Sequence, residues 1–315
     1  MLETAVLWRM SGSTSPHVAI KPLCDIREKT MTDVERTVRD FYDNFGWRRS
    51  GDHSGEEILF RKKFNKHYYP YHDRVNQRTI NCFSGCSGKL LIAGGGDLPY
   101  PHLEIASQFK HVCCLDISKH ALEISKAKLG DTQEYVLGSI LNIPKPEDYF
   151  DAVLCSHVIY HIDKELQGTA ISEIIRVTRP KGKIVIIYDN PESFANRILR
   201  RLRKTKKLSL VRRLANNGMQ TVKNVPPLYG FTHRLEWWNQ FCDRCNLALL
   251  PWDVLNADQE RRLYVKGPVA RVFYRLCSWY EERYPRHAVK HWTYPLIILD
   301  KKRVGAQRLT DNRTT

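Results

Sequence analysis

The stretch KLLIAGGGDLPYPHLEIA, running from Lys89 to Ala106, sets an apolar run against three consecutive glycines and a proline-broken continuation. The apolar run reads as a buried strand, and Gly94, Gly95 and Gly96 as the turn that ends it. Glycines in that place make a plain turn, a phosphate cradle or the floor of a nucleotide-like site, since a bare backbone lets N–H groups approach a ligand. The residues downstream decide among these. PHLEIASQF continues as a helix and HVCCLDI as a second strand. SKHALEISKAKLG follows as a helix with Ser118 as its cap and Gly130 as its stop. EYVLGSI is a third strand and FDAVLCSHV a fourth; Lys164 to Thr178 is a helix with Leu166, Ala170, Ile171, Ile174 and Ile175 turned inward, and GKIVIIYDN is a fifth strand. Continuously apolar strands alternating with helices predict an α/β fold built on a doubly wound, mostly parallel sheet.

Outward from this centre the pattern loosens. Residues 1–30 show no periodicity and hold Ser, Gly and Pro, so a loose arm is expected. In TDVERTVRDFYDNFGW, Thr32 and Glu35 form a capping-box pattern, Val34, Val38, Phe41, Tyr42 and Phe45 recur at helical spacing, and Gly46 supplies the stop. FRKKFNKHYYPYHDRVNQRTINCF is aromatic and basic, helical after Pro70. After the fifth strand the alternation is interrupted twice. A basic insertion over 190–231 opens with FANRILRRLRK, where Phe194, Ile198 and Leu202 share one stripe, and continues with a second short helix, SLVRRLANNG. An aromatic and basic insertion over 256–292 is expected to pack against the sheet. Between them Thr232 caps an expected helix, HRLEWWNQFCDRC, before the strand LALLPWDVL; TYPLIILDKKR is the last strand, and 305–315 a frayed tail.

Of the 315 residues, 42% are hydrophobic and 27% charged, as in ordinary globular domains. No apolar run approaches the ~20 residues of a membrane span. The opening MLETAVLWRMSGSTSPHV makes a poor signal peptide, so a soluble, cytoplasmic chain is expected. Of nine cysteines, Cys113, Cys114 and Cys155 lie in apolar runs, which suits reduced, buried thiols. Cys242 and Cys245 form a lone C-x-x-C, and Cys82 and Cys86 are spaced more loosely; no metal site is expected. The formal charge is +16 and uneven: ten Lys/Arg and one acid, Glu192, lie between Pro191 and Gly230. Such a balance points to an anionic acceptor, an anionic membrane surface or nucleic acid.

In open α/β sheets, ligands sit at the carboxyl ends of strands where the strand order switches. Asp116 ends the second strand 22 residues beyond Gly94, the spacing at which a carboxylate takes ribose hydroxyls. The blocks LLIAGGG, CCLDIS, YVLGSILNIP and FDAVLCSHVIYHID, followed by ISEIIRVTRPKGKIVIIYD, resemble the class I S-adenosylmethionine-dependent methyltransferases of the small-molecule type. The resemblance covers Thr32 to Asn190 well and the remainder more loosely. It implies a Rossmann-like methyltransferase domain over 31–304, with the two insertions as an acceptor cover, S-adenosylmethionine as cofactor and a small-molecule acceptor. Gly94 and Gly96, with Ala93 and Gly95 beside them, would pass under the methionine part. Asp116 would hold the ribose, with Ile117 against adenine and Ser139 and Ile140 at its edge; Cys155 and Ser156 would lie beside the sulfonium. His161 stands where some members, phosphoethanolamine methyltransferases among them, place a catalytic histidine, and His157 is a second candidate base. Tyr42, Tyr160, Tyr69 and Arg200 are candidate walls of the acceptor pocket. The sequence departs from the family at four places, one of them the turn RPKGK, which lacks the usual paired glycines. Ile92 stands where an acid is usual, Leu98 where the third glycine is usual, and Ser139 where another acid is common. Contacts to the methionine ammonium and the adenine amine must therefore differ.

A nicotinamide-dependent dehydrogenase would need a glycine where Pro99 stands. A nucleic-acid methyltransferase suits the basic charge, but CSHVIYH on the fourth strand has no Asn/Asp-Pro-Pro-Tyr/Phe box, and no RNA-binding module is recognisable. A non-catalytic scaffold on the same fold is the remaining alternative.

Overall fold

The computed structural model describes residues 31–46, 66–204 and 228–303. The expected arm over 1–30, the tail over 305–315 and the helix SLVRRLANNG lie outside these.

Helix α1 (Asp33–Phe41) starts at the expected capping box: Thr32 Oγ1 accepts from Glu35 N at 3.1 Å, and the Glu35 carboxylate accepts from Thr32 N at 3.0 Å. The sequence reads as one helix to Gly46, but from Tyr42 the chain widens into a π-helical turn. Helix α2 (Tyr68–Asn81) leads to β1 (Lys89–Ala93), then α3 (Tyr100–Ala106), β2 (His111–Asp116), α4 (Lys119–Leu129) and β3 (Glu134–Leu137). Next come β4 (Phe150–Ser156), α5 (Gln167–Val177), β5 (Thr178–Ile187) and α6 (Phe194–Lys204). The chain ends with β6 (Cys245–Asp253), α7 (Ala257–Arg262), α8 (Gly267–Arg283), α9 (Pro285–His291) and β7 (Tyr294–Lys301).

The seven strands form one sheet in the order β3-β2-β1-β4-β5-β7-β6. Strands β1 to β5 are parallel, and β7 runs antiparallel between β5 and β6. Alternate residues of each strand feed two apolar layers. Leu90, Ile92, Leu154 and Val185 pack towards α2, α3 and α8, whereas Leu91, Val153, Ile184 and Ile186 pack towards α5. Burial on both faces explains why the central strands are apolar throughout rather than alternating. Ser118 caps α4 by accepting from Ala121 N, and Gly130 ends it at φ +84°, both as expected.

Two local expectations are corrected. HRLEWWNQFCDRC is not an α-helix capped by Thr232. It holds a 3-10 helix, Leu235–Phe241, that buries Trp238 and Phe241, and Cys245 already begins β6. Tertiary packing of the bulky rings sets that path over local propensity. On α6 the buried residues are Ala195 and Leu199, while Ile198 is exposed. The 256–292 insertion packs as expected through one face of α8, but leaves a second apolar face outside.

Candidate active site

The strand order reverses between β1 and β4, and the loops at their carboxyl ends part there to leave a cleft of about 200 Å³, partly open to solvent. Its lining brings together Gly94, Gly95 and Gly96 after β1, Asp116 and Ile117 at β2, Ser139 and Ile140 after β3, and Ser156 and His157 at β4. Tyr42 and His161 complete the set foreseen from the sequence. Ala93 and Cys155 lie fully buried in the strands behind this surface, where burial pushes the Cys155 thiol pKa up. Tyr160 stands behind His157, its hydroxyl 2.9 Å from His157 Nδ1. Tyr69 belongs to α2 beside Tyr68 and does not line the cleft, and Arg200 lines a second, polar cavity with Asp189, Thr232 and Arg262.

Gly94 adopts φ +70°, and a Cβ there would come within 2.4 Å of the Val158 side chain. The glycine thus lets the loop after β1 pass under the loop after β4. Asp116 is half-buried: Oδ1 accepts from Ser118 N at 2.9 Å and Oδ2 from Gly96 N at 3.2 Å. Burial raises its pKa to about 6 against the pull of those hydrogen bonds. Burial and the nearby Asp116 charge push the Tyr42 phenol up to about 12.

The residues that the sequence reading missed, Glu35 and Val38 among them, come largely from the N-terminal helix, where they join the foreseen Tyr42. Glu35, Val38 and Tyr42 fall on one face of α1 and its π-turn and roof the cleft. The buried Glu35 carboxylate accepts from Ser139 Oγ as well as from Thr32 N. Ser139 Oγ in turn accepts from Leu141 N at 3.0 Å. Asp43 accepts from Ser118 Oγ at 2.5 Å, so two acids of one segment grip the ends of β3 and β2. An acid on the apolar stripe of an amphipathic helix was the available signal, and Glu35 was read only as a cap. His102, on α3, lines the same cleft; it is 5% exposed, and its Nδ1 has no hydrogen-bond partner among the described residues. Burial lowers its pKa to about 4, so it is neutral at physiological pH.

The two candidate bases differ. His157 sits at φ +60°, which a residue with a side chain rarely adopts, and burial drops its pKa to about 3. His161 Nδ1 donates to the Tyr229 carbonyl at 2.6 Å, because a carbonyl can only accept. This fixes the tautomer and leaves Nε2 as the acceptor; burial lowers its pKa as well. Phe231 N donates to Tyr160 O at 2.8 Å, so residues 229–231 of the basic insertion lie against this end.

The charged side chains of the lining are informative. Glu35, Asp97 and Asp116 are there, and among the described residues neither lysine nor arginine is. Such a surface repels phosphates and suits a cation. Among the described residues no cluster of His, Cys, Asp or Glu is arranged to hold a metal.

Residues 91–186, which supply the loops of this cleft from β1 to β5, match the family described as "Methyltransferase domain". The chain carries a class I S-adenosylmethionine-dependent methyltransferase domain. This methyltransferase domain is similar in sequence to the ubiquinone/menaquinone biosynthesis C-methyltransferase UbiE of Vibrio vulnificus, 28% identical over 118 residues, which is 35% of this chain and 44% of that protein. It is 31% identical over 103 residues to UbiE of Francisella tularensis subsp. novicida, 31% of this chain and 40% of that one. The chain thus spans under half the length of these curated relatives. Geranyl diphosphate C-methyltransferase from Streptomyces coelicolor A3(2), solved with Mg2+, geranyl diphosphate and S-adenosyl-L-homocysteine, shares the fold, with TM-score 0.52 and 13% identity over 86% of this chain and 98% of that one. The methyltransferase domain fits the family's cofactor in two respects: the acidic lining suits a sulfonium, and the orphan His102 Nδ1 awaits a polar group.

Proposed function

We propose that the chain is a C-methyltransferase that uses S-adenosylmethionine to methylate a small, largely apolar acceptor bearing an ionisable hydroxyl. The observation that carries the cofactor reading is the cleft whose charged lining is acidic only. Carbon as the acceptor atom is supported by the names of the relatives, which are C-methyltransferases.

The bound cofactor supplies a methyl group activated by a sulfonium. This chain's residues bind and orient it. The Asp116 carboxylate receives the two ribose hydroxyls. Glu35 retains two lone pairs after its contacts to Thr32 and Ser139 and accepts the exocyclic amine of adenine, in place of the acid missing at position 139. His102 meets the amino-acid end, where Ile92 offers no carboxylate. The acceptor side presents the rings of Tyr42, His157 and His161, and outside the lining Trp252 and Tyr294 pack on His157 at 5.2 and 4.8 Å, centroid to centroid. An aromatic or prenyl-like acceptor suits such a wall. His161, its Nε2 unprotonated, takes the hydroxyl proton that makes an adjacent ring carbon nucleophilic, and the covering residues exclude water. The test is calorimetric binding of S-adenosylhomocysteine, followed by transfer of labelled methyl to hydroquinones and phenols. Absence of S-adenosylhomocysteine binding defeats the reading.

A further inference from the structure

Helix α8 is apolar on two nearly opposite faces. Ala270, Tyr274 and Cys277 turn inward. Val269, Val272, Leu276 and Trp279, spaced three, four and three residues apart, form a row on the outside and are each 58–63% exposed. A surface helix ordinarily carries one apolar stripe, against the core. A second contiguous row, unlike scattered surface leucines, marks an interaction surface.

The outward direction of this row is fixed by the opposite face. The buried Glu281 carboxylate accepts from Arg78 Nη2 at 2.8 Å, from Trp292 Nε1 and from the Tyr71 hydroxyl, and Tyr274 stacks on Tyr71 with centroids 5.0 Å apart. Arg271 and Arg275, both exposed, border the row, and Arg283 lies at its end. Glu282 is the helix's exposed acid, and it pairs with Arg74 at 3.3 Å. No helix among the described residues is long and apolar enough to cross a membrane. A helix that presents aliphatic residues and a tryptophan beside arginines has the composition of one lying in a lipid interface.

We propose that the α8 row rests on an anionic lipid surface, with Val272, Leu276 and Trp279 at the acyl boundary and Arg271 and Arg275 at the headgroups. Charge complementarity selects this occupant. A second copy seated here by two-fold symmetry would set Arg271 and Arg275 against their own counterparts. The buried side of α8 is joined to the cleft through the core. Rings run without a break from Tyr274 to Tyr68 (5.7 Å), His72 (4.8 Å), Trp252 (6.1 Å) and His157 (5.2 Å), ending at the acceptor side of the cleft. The inference does not depend on the cofactor reading.

The test is co-sedimentation of the whole chain with vesicles of phosphatidylcholine mixed with phosphatidylglycerol, and with phosphatidylcholine alone. Binding is expected to the mixed vesicles and is weakened by salt. Arg271→Ser and Arg275→Ser each lower the partition coefficient roughly five-fold. Leu276→Glu with Trp279→Glu removes binding while the circular dichroism spectrum stays as in the wild type. Three results overturn the proposal: no binding by the wild type, equal binding by the double variant, or a wild-type dimer that the double variant converts to a monomer without any lipid binding. The last would assign the row to a second copy.

Discussion

Replacing Asp116 by asparagine separates two consequences of one carboxylate. Because burial raises its pKa above the unfolded value, the charged form is disfavoured in the fold. The contribution of this group to stability is therefore greatest below pH 3.8 and is lost as pH rises through about 6. The span from 3.8 to about 6 corresponds to roughly 3 kcal/mol at neutral pH, an upper bound because the cleft is partly open to water. The amide removes that cost. It also turns an NH2 group towards Ser118 N or Gly96 N, leaving a donor unpaired at about 1–3 kcal/mol. The two effects nearly cancel at pH 7.5, so the variant should melt close to the wild type there and below it at pH 5. Cofactor binding should respond otherwise. Two charge-assisted hydrogen bonds to the ribose are worth roughly 1.5–3 kcal/mol each, and the amide oxygen keeps at most one. Affinity for S-adenosylhomocysteine should fall roughly 10- to 100-fold. Wild-type affinity should also decline below pH about 6, while that of the variant stays flat. Calorimetry from pH 5 to 8, with melting curves at each pH, reads both. A variant that binds as tightly as the wild type, with the same pH profile, refutes the ribose assignment.

Glu35→Gln preserves the capping box and the contact to Ser139 but exchanges an acceptor for a donor. It should lose roughly ten-fold in affinity for S-adenosylhomocysteine and gain for the 6-oxo analogue S-inosylhomocysteine, measured by competition; equal losses for both would deny the amine contact. His102→Leu should weaken S-adenosylhomocysteine binding roughly ten-fold yet leave 5′-methylthioadenosine, which lacks the amino-acid end, unaffected. The same variant should raise the melting temperature of the free protein, since it removes an unpaired buried nitrogen. His161→Gln should lower kcat about a hundred-fold or more with little change in cofactor affinity; the loss should shrink at high pH, where the acceptor hydroxyl ionises unaided.

The parts of the molecule legible in advance were those whose signal is local. An apolar run closed by glycines, an acid at the next strand end and a serine cap each declare themselves within a few residues, and they placed β1, β2, α4 and Asp116. Cleft residues that depend on distant partners were not legible in that way. Glu35 and Ser139 lie far apart in the chain, and only packing of α1 over β3 joins them. Tyr69 and Arg200 show the converse: their residue types suit an acceptor pocket, but Tyr69 packs beside Tyr68 on α2 outside the cleft lining and Arg200 lines a separate cavity. The outer row of α8 has the helical period of a core stripe, and periodicity alone does not tell which of two apolar faces meets the sheet.

The antiparallel β7 has a consequence for how the molecule is made. It is the last strand of the sheet in sequence, yet it lies inside, pairing Ile186 with Ile297 on one side and Leu249 with the same residue on the other. Until the ribosome has released residues through Lys301, β5 and β6 cannot join, and each presents an unpaired apolar edge. Closure of the sheet therefore waits on a contact of large sequence separation, a slow step during which the half-sheet is prone to edge-to-edge association. Chains interrupted before Tyr294 should accumulate in inclusion bodies, and yield should improve when synthesis is slowed or chaperones that shield exposed strands are supplied.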